Sequence, residues 1–273
     1  MKKPAPRQKS QEKKSSSILE SKLQRLSKWG IPLATAAIVI VFILIGLVTK
    51  NVQPQPAAAP ESEIPVITNP NIIPLPSPTY RTQNSVEAVI RSNQPRRSFR
   101  PDQLTQKQLS QMLWAAQGVT TDWGGRTVTS SKSTFPLTIY VLINNVENLE
   151  SGVYQYISGE RLPAHQLLPL KLGDFEETLF SIVNQTPLKE PPLVVVVTGN
   201  LKKMATAYGG DSHDREVYLE AGHATQNMYL QAESLKLGMI ALPNFDEIQV
   251  RSLLSIPQEN TIIYLAPIGL IKE

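Results

Sequence analysis

The chain has 273 residues, a net charge of +4 and no cysteine. That is room for one sizeable domain with appendages, and it excludes disulfides, thiolate metal centres and cysteine nucleophiles. Nine lysines and arginines against two glutamates give residues 1–30 a charge of +7, so the rest of the chain carries −3. A mildly acidic folded part does not suit nucleic acid, and the basic stretch is better placed beside a membrane.

Ile31 to Thr49 reads IPLATAAIVIVFILIGLVT, without a charge, and Lys50 closes it. At 1.5 Å per residue the run covers about 28 Å, close to the ~30 Å hydrocarbon core of a bilayer. A signal peptide has about 7–15 apolar residues and a small-residue cleavage site. Here the only such candidate, Ala57-Ala58-Ala59, is followed by Pro60. The expectation is a single-pass anchor at 31–49 with a basic cytoplasmic tail at 1–30. The positive-inside rule then puts everything after Lys50 on the extracytoplasmic side. Residues 50–80 hold eight prolines between Asn51 and Thr79, a density that blocks helices and ladders and favours a semi-rigid polyproline II spacer. The folded domain is expected over 81–273.

Within it, Asn84 stands three before Glu87, and Val86, Val89 and Ile90 fall on one helical face. Thr105 stands three before Gln108, and Leu104 and Leu109 form a staple across that cap. A helix follows through Leu109, Met112, Leu113 and Ala116 to Gly118. Strands are predicted at Leu137 to Ile143, Gly152 to Ile157 and Leu193 to Thr198. A long helix is predicted from about Arg215 to Leu237, then a short strand at Met239 to Leu242. A helix from about Phe245 to Leu254, capped by Asn244, and a strand at Thr261 to Ile268 complete the chain. This irregular mixture points to α+β.

Three segments could carry chemistry. Arg96, Ser98 and Arg100 alternate, and in an extended segment they would offer two guanidinium groups and a hydroxyl on one side, a set that suits phosphate. By pattern alone, a solvated basic turn reads the same way. Arg126 to Leu137 is rich in small hydroxyl residues able to donate to a ligand. In the long helix, Gly222 suggests a close packing neighbour, and Glu220, His223 and Asn227 share helical spacing. With three histidines in the chain, no metal site is expected.

Taken in order, several segments resemble the nitroreductase superfamily, most closely its SagB-type (azoline dehydrogenase) branch. They are Arg96-x-Ser98-x-Arg100, LSQMLWAAQGVT from Leu109, and Arg126-Thr127 with Ser130 and Phe135-Pro136-Leu137. YVLINNVENLESGVYQY from Tyr140, GHATQN from Gly222 and Pro267-Ile268-Gly269 follow. The resemblance covers about Ser85 to Gly269. It implies an α+β nitroreductase-like FMN-binding fold, a central mixed sheet flanked by helices, and a homodimer with FMN at the subunit interface. It further implies that Arg96, Ser98 and Arg100 hold the phosphate and ribityl chain and that Ser130, Ser131 and Lys132 lie along the ring. Gln226 and Asn227 would sit on the central helix near the dimer interface. Hydride transfer on an unknown small-molecule or peptide substrate is the implied chemistry, with Tyr208 a candidate proton donor. The chain departs from the family at Lys132, in a loop usually open to the flavin, and at Pro243, which lacks a backbone donor. Ala207 stands where azoline dehydrogenases pair a lysine with the tyrosine.

Overall fold

The computed structural model describes residues 71–159 and 164–272. The expected anchor at 31–49 and most of the Pro-rich spacer lie outside them. Among the described residues no helix is long and apolar enough to cross a membrane.

In chain order the elements are β1 (Ile73–Pro74), α1 (Val86–Ser92), β2 (Phe99–Arg100), α2 (Gln106–Gln117), β3 (Leu137–Ile143), β4 (Gly152–Ile157), β5 (Gln166–Leu172) and α3 (Glu176–Val183). Then come β6 (Leu193–Gly199), α4 (Leu201–Ala207), α5 (Asp214–Ser234), β7 (Leu237–Met239), α6 (Glu247–Leu254) and β8 (Thr261–Ile271). The strands form one sheet in the order β1-β5-β4-β3-β6-β8-β2, with β7 also paired to β8.

Every strand pair is antiparallel, which corrects the expected mixed sheet. The chain leaves β6 through α4 and α5 and returns as β7, a helical crossover of the kind that usually sets two parallel strands side by side. Ile268 of β8 pairs with Leu193 of β6 and also with Met239 of β7. The last strand has therefore entered between the two parallel ones, and each pairs with it instead. The one parallel contact among the described residues is an isolated bridge, Leu104 to Val146.

The side-chain period of two then divides the core. Ile139, Val141, Val195 and Val197 face α2 and α5, while Tyr140, Leu142, Val194 and Val196 face α3 and α6. All seven residues of β6 are buried, as expected of a central strand covered on both sides. α2 has the capping box read from the sequence: the Thr105 side chain accepts from Gln108 N, and the Gln108 side chain accepts from Thr105 N. Leu104 and Leu109 are fully buried.

Two other caps fall beside the predicted residue. Ser85, not Asn84, caps α1, and Asn84 donates to the Ser234 carbonyl at 3.1 Å. Asp246, not Asn244, caps α6, accepting from Gln249 N. In both cases the capping side chain sits immediately before the first turn, where it reaches the N3 amide. The apolar residues of α1 are not a core face: none of that helix is buried, and Val86 is 66% exposed.

The last prolines of the spacer are built into the domain. Ile73 and Pro74 pair with Leu167 and Gln166, and Leu75 N donates to the His165 carbonyl. The Pro76 carbonyl accepts from Ser110 Oγ at 2.5 Å and lies 3.1 Å from His165 Nε2. Ser110 Oγ is itself 2.6 Å from that nitrogen, and Tyr156 OH is 2.8 Å from His165 Nδ1. Thr79 exchanges two hydrogen bonds with the Gln111 side chain.

Burial holds His165 below the ordinary imidazole value of 6.5, and the bond to Pro76 opposes that shift. A depressed histidine contributes stability that is present above 6.5 and lost as pH falls through its folded value. The urea midpoint of the full chain is expected to drop as pH is lowered below 6.5. His165→Gln, weaker at neutral pH, is expected to show a flatter profile over the same range. Parallel profiles would mean that another group sets the acid limb.

Candidate functional site

The candidate residues fall into two groups at opposite ends of the sheet. Phe99 pairs with Ile271 at the end of β8. The 130–136 loop leads into Leu137, which pairs with Gly199, and Gly199 pairs with Thr261 at the start of β8. Eleven residues of strand, about 33 Å at 3.3 Å per residue, separate the two ends. Helix α5 runs the same way over a shorter span and leads to β7, where the Met239 carbonyl accepts from Arg96 N. From Glu220, beside the loop, to Ser234 is about 21 Å of helix.

At the first end, Arg96, Ser98 and Arg100 do not converge. Arg96 is half-buried, and its Nε is buried without a hydrogen-bond partner. Arg100 is exposed and bound to Asp102 through two 2.9 Å contacts. Ser98 instead lines a cavity of about 130 Å³ with Arg97, Thr186, Lys189, Glu190 and Lys272. Only Phe99 and Arg100 are in ladder geometry, so the alternation assumed for a five-residue strand is not kept. Three cations and two hydroxyls, against the one Glu190 carboxylate, make a donor set that fits a phosphate. Arg97 and Lys189 carried no signal that sequence reasoning could use, since they meet only when the α3–β6 connection folds against β2.

At the second end, Ser130 Oγ accepts from Phe135 N at 2.7 Å, and Ser131 Oγ lies 2.5 Å from Tyr208 OH. Lys132 Nζ donates to the Ala207 carbonyl at 3.1 Å and stands 3.9 Å from the centroid of the Tyr208 ring. An ammonium therefore flanks Tyr208 although residue 207 is alanine. His213 stacks on the same ring at 3.6 Å and meets Glu216 at 3.3 Å. Lys132, Ser133 and Phe135 all have positive φ, between 46° and 52°, at a cost on the order of 1–3 kcal/mol each. Such strain persists only where the surroundings impose it.

Further up α5, Asn227 Nδ2 donates to the Thr127 carbonyl at 3.0 Å, and Gln226 is exposed. Glu220 and His223 do not share an environment, because Glu220 is 2% exposed and His223 lies in solvent. The expected close neighbour of Gly222 is absent from the protomer: nothing lies within 4 Å of where a side chain would start.

Glu220 is the group that sequence reasoning undervalued. Its Oε1 accepts from Gln117 Nε2 at 3.3 Å, and Gln117 Oε1 accepts from Arg126 at 3.0 Å. Burial pushes the Glu220 carboxyl up, against the opposing pull of Ser130, Gln117, Arg126 and Lys203.

The family model described as the nitroreductase family matches residues 91–270. The chain belongs to the nitroreductase family. A protein of Methanocaldococcus jannaschii named as a nitroreductase is 34% identical over 184 residues, covering 67% of this chain and 90% of that one. Among solved structures, a protein of Ralstonia eutropha also named as a nitroreductase matches with a TM-score of 0.63. It shares 24% identity over 74% of this chain and 90% of its own. One from Anabaena variabilis gives 0.61 and 23% over the same share, but this chain spans only 42% of its length. The Escherichia coli microcin synthetase complex McbBCD, solved with truncated pro-MccB17 bound, gives 0.53 and 19%, over 87% of this chain and 93% of that one. At these identities the structures establish the fold: nitroreductase-like α+β, with a central antiparallel sheet flanked by helices. Family membership supports an oxidoreductase.

A carboxyl with a raised folded value contributes stability that is full below the ordinary 4.5 and lost as pH rises through that folded value. Glu220→Gln removes the ionisation but keeps the amide-sized group, so its Tm advantage over wild type is expected to grow as pH is raised above 4.5. Melting curves that stay parallel across that range would show that Glu220 does not titrate there.

Proposed function

We propose that the protein is an FMN-dependent oxidoreductase of the SagB-like kind, anchored to a membrane by residues 31–49 and working as a homodimer. The observation that carries this reading is the cavity at Ser98, where Arg97, Lys189 and Lys272 surround a serine hydroxyl. FMN, when bound, supplies two-electron hydride chemistry. Ser98 and the three cations would hold its phosphate. Arg96, tied by its backbone to β7, is the adjacent guanidinium, and its Nε has no other bond to give up.

The second group of residues would serve the flavin ring and the substrate. Ser131 bonds the Tyr208 hydroxyl and Lys132 lies over its ring, which would place that hydroxyl to donate a proton to a substrate that takes up hydride. Within one protomer the loop and the cavity lie at opposite ends of a sheet whose last strand is about 33 Å long, further than an extended FMN covers. Two copies related by a twofold axis bring one protomer's cavity against its partner's loop, so each site takes one half from each copy. The exposed face of α5 at Gly222, His223 and Gln226 is available for that contact. Charge bias supports a domain on the extracytoplasmic side.

A second reading is a flavin-free, tethered binding module. It is favoured by Arg100, already engaged by Asp102, and by Lys132, already engaged by Ala207 and Tyr208.

The deciding measurement is the visible spectrum of the purified full chain in detergent. Flavin bands near one per protomer are expected, with FMN affinity at least about tenfold weaker in Arg96→Ala and Ser98→Ala, the loss of one charge-assisted contact. A colourless folded protein that takes up no added FMN would establish the flavin-free module instead. The shared site has its own test. Ser98→Ala/Lys272→Ala and Ser131→Ala/Lys132→Ala, each unable to hold flavin alone, are expected to recover about a quarter of wild-type flavin when mixed. No recovery would place both halves in one protomer.

A further inference from the structure

The strained loop at 130–135 is held from behind. Ser130 accepts from Phe135 N, closing the loop on itself across the left-handed residues Lys132, Ser133 and Phe135. Glu220 is buried on the side away from solvent and is joined through Gln117 to Arg126. Arg126 in turn lies 4.8 Å from the centroid of the Phe135 ring, at the far end of the loop. The chain Glu220, Gln117, Arg126, Phe135 thus reaches the end of the loop that Ser130 closes. Glu220 Oε2 is buried with no hydrogen-bond partner, an arrangement a fold retains at a cost unless the group serves the surrounding geometry. The charged groups that act on Glu220 are Arg126, before the loop, and Lys203, from α4. Lys203 Nζ also donates to the Phe135 carbonyl at 2.9 Å.

From this geometry we infer that Glu220 is the positioning residue of the 130–135 loop. Acting through Gln117 and Arg126, it holds the backbone in the conformation that presents Ser131 and Lys132. The loop's role toward flavin rests on the proposed function. Its dependence on Glu220 does not, and the two are separable by experiment. Lys132 is exposed, and the bond after it is a trypsin site inside the strained segment. Cleavage there reports how often the loop opens.

The test is timed trypsin digestion of the full chain in detergent, without flavin, with cleavage after Lys132 followed by mass against cleavage at the other sites. Glu220→Leu is expected to speed cleavage after Lys132 by about tenfold while other sites keep their rates. Glu220→Gln, which preserves the shape and the bond to Gln117, is expected to stay within about twofold of wild type. Should Glu220→Leu fail to fold, Gln117→Leu breaks the same chain one step nearer the loop and is expected to accelerate the same bond. Wild-type rates at Lys132 in both variants would overturn the inference. So would equal acceleration at every site, or no rescue by glutamine, since each describes a general packing role. Repeating the digestion with added FMN asks the other question: protection of Lys132 in wild type supports flavin at the loop. Its absence counts against the flavin reading alone.

Discussion

The entry of β8 between β6 and β7 is the constraint on which the rest of the structure depends. Its eleven residues pair with β6 and β2 along one side and β7 along the other. This single strand therefore fixes both ends of the sheet, and with them both groups of candidate residues. The crowding it imposes is visible in two glycines. A Cβ on Gly269 would come within 2.8 Å of Phe99 Cβ, and one on Gly238 within 2.9 Å of Arg96 Cβ. Only a bare backbone on β7 and β8 lets the Arg96–Arg100 segment approach closely enough to pair with the last strand.

The two ends manage polar groups differently. At the cavity, cations gather near the surface, where solvent screens their mutual repulsion and a phosphate would replace water as their neighbour. Behind the loop, Glu220 and Gln117 are buried and joined in series to Arg126, and the local backbone carries strain. A network of that kind fixes one geometry but leaves little tolerance for a missing member. Lys132 shows how this loop disposes of its long side chain: it turns onto the Ala207 carbonyl and brings a positive charge over the Tyr208 ring.

Much of the fold was legible in local pattern. The β-branched runs at Leu137 and Leu193, the Thr105–Gln108 box and the last apolar strand all state their structure within a few residues. β5 was not legible because Pro169 interrupts it, and that proline is tolerated at a register shift opposite Tyr154, beyond the reach of the two-residue strand β1. The sheet's all-antiparallel character was hidden for another reason. It depends on where β8 inserts, a choice made by packing against both neighbours rather than by any residue of β8 alone. Of the site, ordered motifs located the right segments, but which side chains meet was set by long-range contacts. Arg97 and Lys189 are 92 positions apart, and Gln117 and Glu220 are 103, and neither pair has a spacing that marks it.

The strap from Leu75 to Thr79 has a mechanical meaning. Chain pulled from the N-terminal side of Asn71 meets first the short ladder on β5, then the clasp of Pro76 by Ser110 and His165, then the paired bonds between Thr79 and Gln111. Ser110 and Gln111 both belong to α2, a helix capped at each end whose inner face is sunk in the core. Tension is thus delivered to an element packed into the core and shared among several bonds. The Ser98 cavity hangs from other elements, whereas the 130–135 loop meets the far end of the same helix through Gln117 and Arg126, so a tug on the leading chain bears on the loop before the cavity.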